Sequence, residues 1–193
     1  MCIEGGASRQ SGLTLVELVV FIVVIGIAAS SVLLVMNYTA SRSADPQLRK
    51  QALAVAEALL EEVEMSGFTY CDPQDANFLT ATGAFVGTNG CASIVENAGP
   101  EPGNTRPYDN VNDYVAAYGV PQPIVGDVTG NATLIPAGYS ATLLETPETL
   151  GGIASGASPA STNVLRLAVT VSYSGGSVTL EGYRTRYAPN FMP

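Results

Sequence analysis

The sequence predicts an α+β protein in which a long amino-terminal helix packs on a carboxyl-terminal antiparallel sheet. An uncharged apolar run at residues 18–36 precedes an amphipathic segment at residues 46–65, and two alternating segments near the carboxyl terminus indicate a hairpin. We place the amino-terminal helix at residues 13–44 and the globular part at residues 45–193. With 193 residues and 47% apolar content, the chain can build one core plus this appendage.

The composition excludes several classes of function. The net charge of -9 comes from 17 acidic and 8 basic residues without a Lys/Arg cluster, so we expect no nucleic-acid partner. Histidine is absent and only three cysteines are present, which removes the commonest general base and most zinc ligands. No nucleophile, base and oxyanion site can be assembled from the sequence. We therefore expect no enzymatic activity, no cofactor and no metal.

The apolar run LVVFIVVIGIAASSVLLVM occupies residues 18–36. At about 1.5 Å per residue it matches a bilayer core of about 30 Å. It fits a permanent anchor, a secretory signal cleaved within AASS at residues 28–31, or a helix with a processing site at its front. An ordinary signal is disfavoured, because the apolar character resumes at residues 32–36 and Glu17 stands at the start of the run.

The motif GLTLVEL, residues 12–18, resembles the processing site of the type IV pilin family, which includes the pseudopilins of type II secretion. A glycine, a hydrophobic residue, Thr-Leu, an apolar residue, Glu and Leu agree at every position. The resemblance implies that a prepilin peptidase removes the leader, residues 1–12, after Gly12. It also implies that Leu13 becomes the N-methylated amino terminus and that the helix stays with the mature chain.

The same resemblance implies that Glu17 lies in a filament core and pairs with the amino group of Leu13 in a neighbouring subunit. A carboxylate in a membrane costs up to about 3 kcal/mol, and an ion pair at about 4 Å returns about 4 kcal/mol at intermediate dielectric. The two terms nearly cancel, so Glu17 would specify the register of assembly rather than its affinity. Alternatively, Thr14 and Glu17 form a capping box at the helix start. Both roles are compatible.

The partners implied by the resemblance are other pilin subunits, the prepilin peptidase, the inner-membrane assembly platform and membrane lipid. The implied location is the bacterial inner membrane, with the globular part in the periplasm, and afterwards a pilus or pseudopilus. Basic residues alone favour the opposite orientation, because Arg9 precedes the apolar run and Arg42, Arg49 and Lys50 follow it. The periplasmic placement is therefore implied by the resemblance and not by charge.

The segment at residues 45–67 begins with Asp45 as a helix cap and Pro46 at the first helical position. We predict that a new helical segment starts at Pro46, with a kink of the long helix near Asp45 and Pro46, and that Gly67 ends it. One face of this segment is apolar and is predicted to pack on the sheet: Leu48, Ala52, Val55, Ala56, Leu59 and Val63.

Residues 43–63, SADPQLRKQALAVAEALLEEV, followed by YCDP at residues 70–73, resemble one branch of the family, the minor pilins of the mannose-sensitive haemagglutinin (MSHA) pilus. This implies a structural, minor pilin-like subunit in MSHA-type pilus biogenesis. Two alternatives stay open. One is a minor pseudopilin of type II secretion, and the other is a membrane-tethered periplasmic module whose acidic loops bind a cation or ligand.

Cys71 and Cys91 are the two cysteines that the mature chain keeps once Cys2 leaves with the leader. An even pair in an oxidising compartment predicts a disulfide, which stabilises by about 3 kcal/mol on the chain-entropy model. A metal site or catalytic thiol is disfavoured, because the chain has no histidine and no second cysteine pair.

Residues 72–113 are rich in Asn, Gly, Pro and Asp, which predicts surface turns. The side chains of Asp72, Asp75, Asp109 and Asp113 offer the oxygen ligands that Ca²⁺ prefers. No loop here matches an EF-hand, so we expect solvated turns in place of a calcium site.

Three strands are predicted after this region. Residues 139–146, YSATLLET, and residues 164–173, VLRLAVTVSY, have strand composition, and the second segment alternates apolar and polar residues. The turn SGG leads into residues 177–187, SVTLEGYRTRY, so the last two strands form an antiparallel hairpin. Gly182 is predicted to mark a bulge. The result is a meander backed by the helix.

Overall fold

A computed structural model describes residues 12, 14–126, 135 and 137–192 of the chain. Within them, helix α1 (Leu15–Met65) is followed by a 3₁₀ helix (Val111–Tyr114) and by strands β1 (Gln122–Ile124), β2 (Ser140–Pro147), β3 (Val164–Tyr173) and β4 (Gly176–Thr185). The strands form one antiparallel sheet in the order β1-β2-β3-β4. The predicted α+β class and meander are thus confirmed. Strand β1 and the 3₁₀ helix were not predicted.

Helix α1 continues through Pro46. The prediction that a new helical segment starts at Pro46, with Asp45 as its cap, is therefore wrong. Proline removes one backbone donor, but helix-forming residues on both sides keep the remaining backbone bonds. The chain divides into two compact units, Met1–Pro46 and Gln47–Pro193, which are described separately below. A kink near Asp45 and Pro46 stays a prediction.

The core of the second unit lies between the carboxyl-terminal part of α1 and the sheet. The predicted apolar stripe of α1 faces this core: Ala52 and Ala56 are fully buried, and Leu48 and Val55 are partly buried. Two further stripe residues and the inner faces of β2 and β3 complete it: Leu59, Val63, Leu143, Leu165, Leu167, Val169 and Val171. Burial of these side chains, at about 25 cal/mol per Å² of apolar area, is the main force that holds helix and sheet together.

Strands β3 and β4 form the predicted hairpin, but the bulge predicted at Gly182 is absent from it. Gly182 pairs with Leu167 in a register that is unbroken from one end of the hairpin to the other. A Cβ atom on Gly182 would lie 2.0 Å from Glu64 Oε1 and 3.3 Å from Leu60 Cδ1. The missing side chain therefore allows α1 to approach the sheet closely, and this explains the glycine without a bulge.

The segment between α1 and β1 is mostly irregular, as predicted, and it is pinned by a disulfide. Cys71 and Cys91 form the predicted bond, with their Cα atoms 5.5 Å apart and both residues fully buried. Gly67 and Asn110 form an isolated bridge that ties the end of α1 to the start of the 3₁₀ helix. The segment is therefore held to the second unit at several points along its length.

Asp75 stabilises the loop closed by the disulfide. Its Oδ1 accepts hydrogen bonds from the amides of Asn77 (2.9 Å) and Ala92 (2.8 Å), and its Oδ2 accepts from those of Ser93 (2.7 Å) and Ile94 (2.8 Å). Burial by itself raises the pKa of Asp75, but the four amide donors outweigh it and hold the pKa below its usual range. The prediction of a solvated turn is wrong for Asp75, because its oxygens satisfy backbone donors of the loop.

Replacing Asp75 with asparagine should lower the free energy of unfolding by about 2–3 kcal/mol at neutral pH, since hydrogen bonds to a charged group each contribute about 1.5–3 kcal/mol. The side-chain amide can accept from two backbone amides, but it presents a donor to the other two. Urea denaturation with the disulfide intact measures the change. The matched control is Glu57→Gln, which replaces an exposed acid on α1 and should change stability little.

The pH dependence of this loss has a defined sign. Because folding lowers the pKa of Asp75, its contribution is present above the unfolded pKa of about 3.9 and is lost as the pH falls towards the folded value. The stability difference between the wild type and Asp75→Asn should therefore shrink below about pH 4. A difference that stays constant from neutral pH to about pH 3 would contradict this role of the carboxylate.

Candidate functional site: an uncovered apolar helix

The first turn of α1 is capped by Thr14. Its Oγ1 accepts a hydrogen bond from the Glu17 amide at 3.3 Å, and its carbonyl accepts from the Leu18 amide at 3.1 Å. This is one half of the predicted capping box. The reciprocal bond, from the Thr14 amide to the Glu17 carboxylate, is not formed between these two described residues. The cap therefore involves the backbone amide of Glu17 and not its carboxylate.

The helix that follows is apolar and uncovered. Every large hydrophobic side chain from Leu15 to Met36 is at least 49% exposed. The part Leu15–Ala40 is long and apolar enough to cross a membrane. Soluble monomers rarely expose a contiguous apolar surface of this extent, and such a surface marks a site of contact with lipid or with another protein. Lipid or other chains are the surroundings that suit this helix.

The serine and threonine hydroxyls at residues 30, 31 and 39 are satisfied within the helix. Ser30 Oγ donates to the Gly26 carbonyl, Ser31 Oγ donates to the Ala28 carbonyl at 2.8 Å, and Thr39 Oγ1 donates to the carbonyl of the residue four positions before it at 2.7 Å. Such bonds lower the cost of hydroxyls in hydrocarbon. Glu17 is the one charged residue between residues 15 and 36. It is therefore the group whose burial requires a partner.

The other residues of the predicted processing site are placed as follows. Gly12 lies three residues before α1, and a Cβ atom there would meet nothing within 4 Å among the described atoms. Leu13 and the leader up to residue 11 lie outside the described residues. Cleavage after Gly12, methylation of Leu13 and the register role of Glu17 stay predictions.

A second constellation was missed by sequence reasoning. Five carboxylates of the second unit, those of Asp72, Glu96, Glu101, Asp109 and Asp113, form two overlapping groups of three. Asp72 and Asp113 were predicted in solvated turns, but they are only 3% and 2% exposed, since the irregular segment folds back over them. Glu96 and Glu101 had not been singled out. The single clue in the sequence is that Glu96 directly follows two apolar residues.

The electrostatics of this second constellation are unfavourable for negative charge. Burial raises the pKa of Glu96 to about 10, with repulsion from Asp113 and Glu101 adding to the effect. Burial also raises the pKa of Asp113 to about 8, with further contributions from the charge of Glu101 and from Asp109. These carboxylates therefore require either bound protons or a positive charge beside them.

Comparison with protein-family models gives one finding. Residues 7–33 match the model of the prokaryotic N-terminal methylation motif. The match covers Gly12, Glu17 and most of the apolar part of α1. It supports a type IV pilin-like amino-terminal segment. Neither the curated proteins nor the solved structures contain a significant match to the chain.

Proposed function

We propose that this chain is a structural subunit of a type IV pilus-like filament, made as a membrane-inserted prepilin and assembled through the amino-terminal part of α1. The observation that carries the proposal is a coincidence in position. The matched methylation motif, residues 7–33, falls on the helix whose apolar side chains are uncovered. Membrane lipid covers that helix before assembly, and the helices of neighbouring subunits cover it afterwards.

The residues take the following roles in this proposal. Prepilin peptidase cuts after Gly12, and Leu13 becomes the methylated amino terminus. Glu17 pairs with the amino group of Leu13 in the next subunit. The free carboxylate and the position of Glu17 in the first turn of α1 support this role, because the group stands beside the new chain end. The globular unit lies in the periplasm, and the assembly platform of the inner membrane extracts the subunit.

The branch we favour is that of the minor pilins of the MSHA pilus, in particular the subunit called MshD. The support is the likeness of residues 43–63 and of YCDP at residues 70–73, which includes the disulfide-bonded Cys71. A minor pseudopilin of type II secretion is the alternative within the same family. Helical, acidic segments similar to residues 43–63 also occur there, so the branch assignment is the finer part of the proposal.

Mass spectrometry of the mature chain tests the processing. We expect the first residue to be Leu13 carrying one added methyl group. Gly12→Val should keep the leader attached, because the peptidase recognises glycine in this position. Gly26→Ala is the matched control, since a Cβ atom meets nothing within 4 Å at either glycine. It should be processed as the wild type.

A mature chain that begins near Ala29, or one that keeps its leader, would contradict the proposal. Those results would favour a membrane-tethered periplasmic module in which the helix serves as an anchor only. Normal processing of Gly12→Val would show that the motif at residues 12–18 does not direct cleavage.

A further inference from the structure

Five carboxylates gather in the segment between α1 and β1. They form two groups of three, and within each group one oxygen from every carboxylate lies within 4.8 Å of the others. The first group is Asp72, Glu96 and Glu101, and the second is Glu101, Asp109 and Asp113. Glu101 belongs to both groups. Repulsion between carboxylates at these distances is strong, because the surroundings are partly buried and screen charge less than water does.

The burial of Glu96 distinguishes this cluster from ordinary acidic clusters on protein surfaces. It is fully buried, and neither of its carboxylate oxygens has a hydrogen-bond partner among the described residues. A buried carboxylate without a partner is strongly destabilising. Protonation of Glu96 would remove its own charge but would leave the charges of Asp72 and Glu101 beside it, within 4.8 Å. A bound cation would satisfy both oxygens.

Arg186, whose charge interacts with that of Glu96, does not fill this role. The positive charge of Arg186 acts on Glu96, but its guanidinium stacks on the Phe68 ring, 4.2 Å from the ring centre, and donates to the Pro159 carbonyl at 3.0 Å. Among the described residues, no ion pair within 4.0 Å joins Arg186 to any of the five carboxylates. No basic side chain in the described part of the chain therefore supplies the counter-charge by direct contact.

Hydrogen bonds distinguish the two carboxylate groups. Asn104 Nδ2 lies 2.9 Å from Asp109 Oδ1, 3.1 Å from Asp113 Oδ2 and 3.5 Å from Glu101 Oε2, so the second group already has a donor. In the first group, Asp72 Oδ1 accepts from the amide two residues further on. In this first group Asn104 reaches Glu101 alone, at 3.5 Å, and neither oxygen of Glu96 has a donor.

We propose that Asp72, Glu96 and Glu101 bind a Ca²⁺ ion. Three carboxylates form a ligand set for a hard cation, while histidine is absent from the sequence and Cys71 and Cys91 are joined in the disulfide. Ca²⁺ tolerates the irregular geometry that loop ligands provide, whereas Mg²⁺ requires a near-octahedral shell. This inference does not depend on the proposed filament role.

The backbone holds two of the three ligands in place. The Asp72 amide donates to the Ile94 carbonyl at 3.3 Å, and the Glu96 amide donates to the Tyr70 carbonyl at 3.1 Å. These bonds join two antiparallel segments, so the two carboxylates are fixed relative to each other before the ion binds. Glu101 comes from the turn that follows. The ion would therefore tie that turn to the disulfide-bonded part of the unit.

Calcium binding is tested on the full chain in detergent after treatment with EDTA. Titration with calcium chloride in a calorimeter should show one saturable site. The midpoint of thermal unfolding should rise with Ca²⁺ and rise less with Mg²⁺ at equal concentration. Absence of both the binding heat and the rise at millimolar Ca²⁺ overturns the proposal. An equal or larger rise with Mg²⁺ overturns the assignment to Ca²⁺.

The variant Glu96→Gln separates a ligand from a merely structural acid. Without a metal it should unfold at the same temperature as the wild type or higher, because the substitution removes repulsion inside the cluster. Its Ca²⁺ affinity should fall at least about tenfold, with no rise of the unfolding midpoint on adding Ca²⁺. Asp72→Asn should behave alike, and the exposed control Glu57→Gln should bind as the wild type. Wild-type affinity in Glu96→Gln overturns the proposal.

Discussion

Replacing Glu17 with valine should exclude this chain from filaments while its insertion in the membrane is preserved. In the proposed filament core the carboxylate faces the amino group of a neighbouring Leu13. Removing one partner of a buried ion pair leaves the other charge uncompensated, which costs about 3–5 kcal/mol per contact. Since about 1.4 kcal/mol is tenfold, incorporation should fall at least about a hundredfold. Valine does not weaken insertion, because it removes the one charge of the apolar segment.

The measurement compares the amounts of the variant in sheared filaments and in the membrane fraction. Glu57→Val is the matched control: it makes the same substitution at an exposed position of α1 beyond the apolar segment, and it should enter filaments normally. If Glu17→Val is incorporated as the wild type is, the register role of Glu17 is wrong. The contribution of residue 17 would then be limited to the helix cap. The valine variant keeps that cap, because the backbone amide of residue 17, not its side chain, donates to Thr14 Oγ1.

Breaking the ion pair between Glu62 and Arg106 should produce the largest loss of stability in the globular unit. Both side chains are about nine-tenths buried, with 8% and 10% exposure, and the guanidinium contacts both carboxylate oxygens. Tyr114 Oη also donates to Glu62 at 3.0 Å, and Arg106 Nη1 donates to the Gly126 carbonyl at 2.7 Å. The pair connects α1 to the irregular segment that carries the carboxylate cluster.

We expect Arg106→Met or Glu62→Leu to lower the free energy of unfolding by about 3–5 kcal/mol, because each leaves a buried charge unpaired. The double variant should lose less than either single one, since no buried charge remains. The control is Arg166→Met, which breaks pairs of Arg166 with Glu148 and Glu181 at more exposed positions and should cost about 1 kcal/mol or less. Urea denaturation measures all four. Equal losses for Arg106→Met and Arg166→Met would contradict this account.

Local patterns predicted much of the fold. The β3–β4 hairpin follows from alternation of apolar residues and a glycine turn, and both the strand β3 and the hairpin are confirmed. The helix face that packs on the sheet follows from the 3.6-residue period. Predictions that rested on a single residue did less well. Pro46 was expected to start a helix, but the backbone bonds of neighbouring residues continue α1 through it. Gly182 was expected to mark a bulge, but it lies in a regular strand where a side chain would collide with α1.

The sequence by itself determined the apolar helix, the methylation motif at residues 7–33 and the lone carboxylate at the start of the helix, because these depend on residues close together in the chain. The sequence also predicted the pairing of Cys71 with Cys91, because Cys2 is the one other cysteine and lies in the expected leader. Tertiary structure alone decided the fate of the acidic residues of the irregular segment. Burial and repulsion arise between residues distant in sequence, so no local pattern distinguishes the solvated carboxylates from Asp75, which binds backbone amides, or from Glu96, which has no partner.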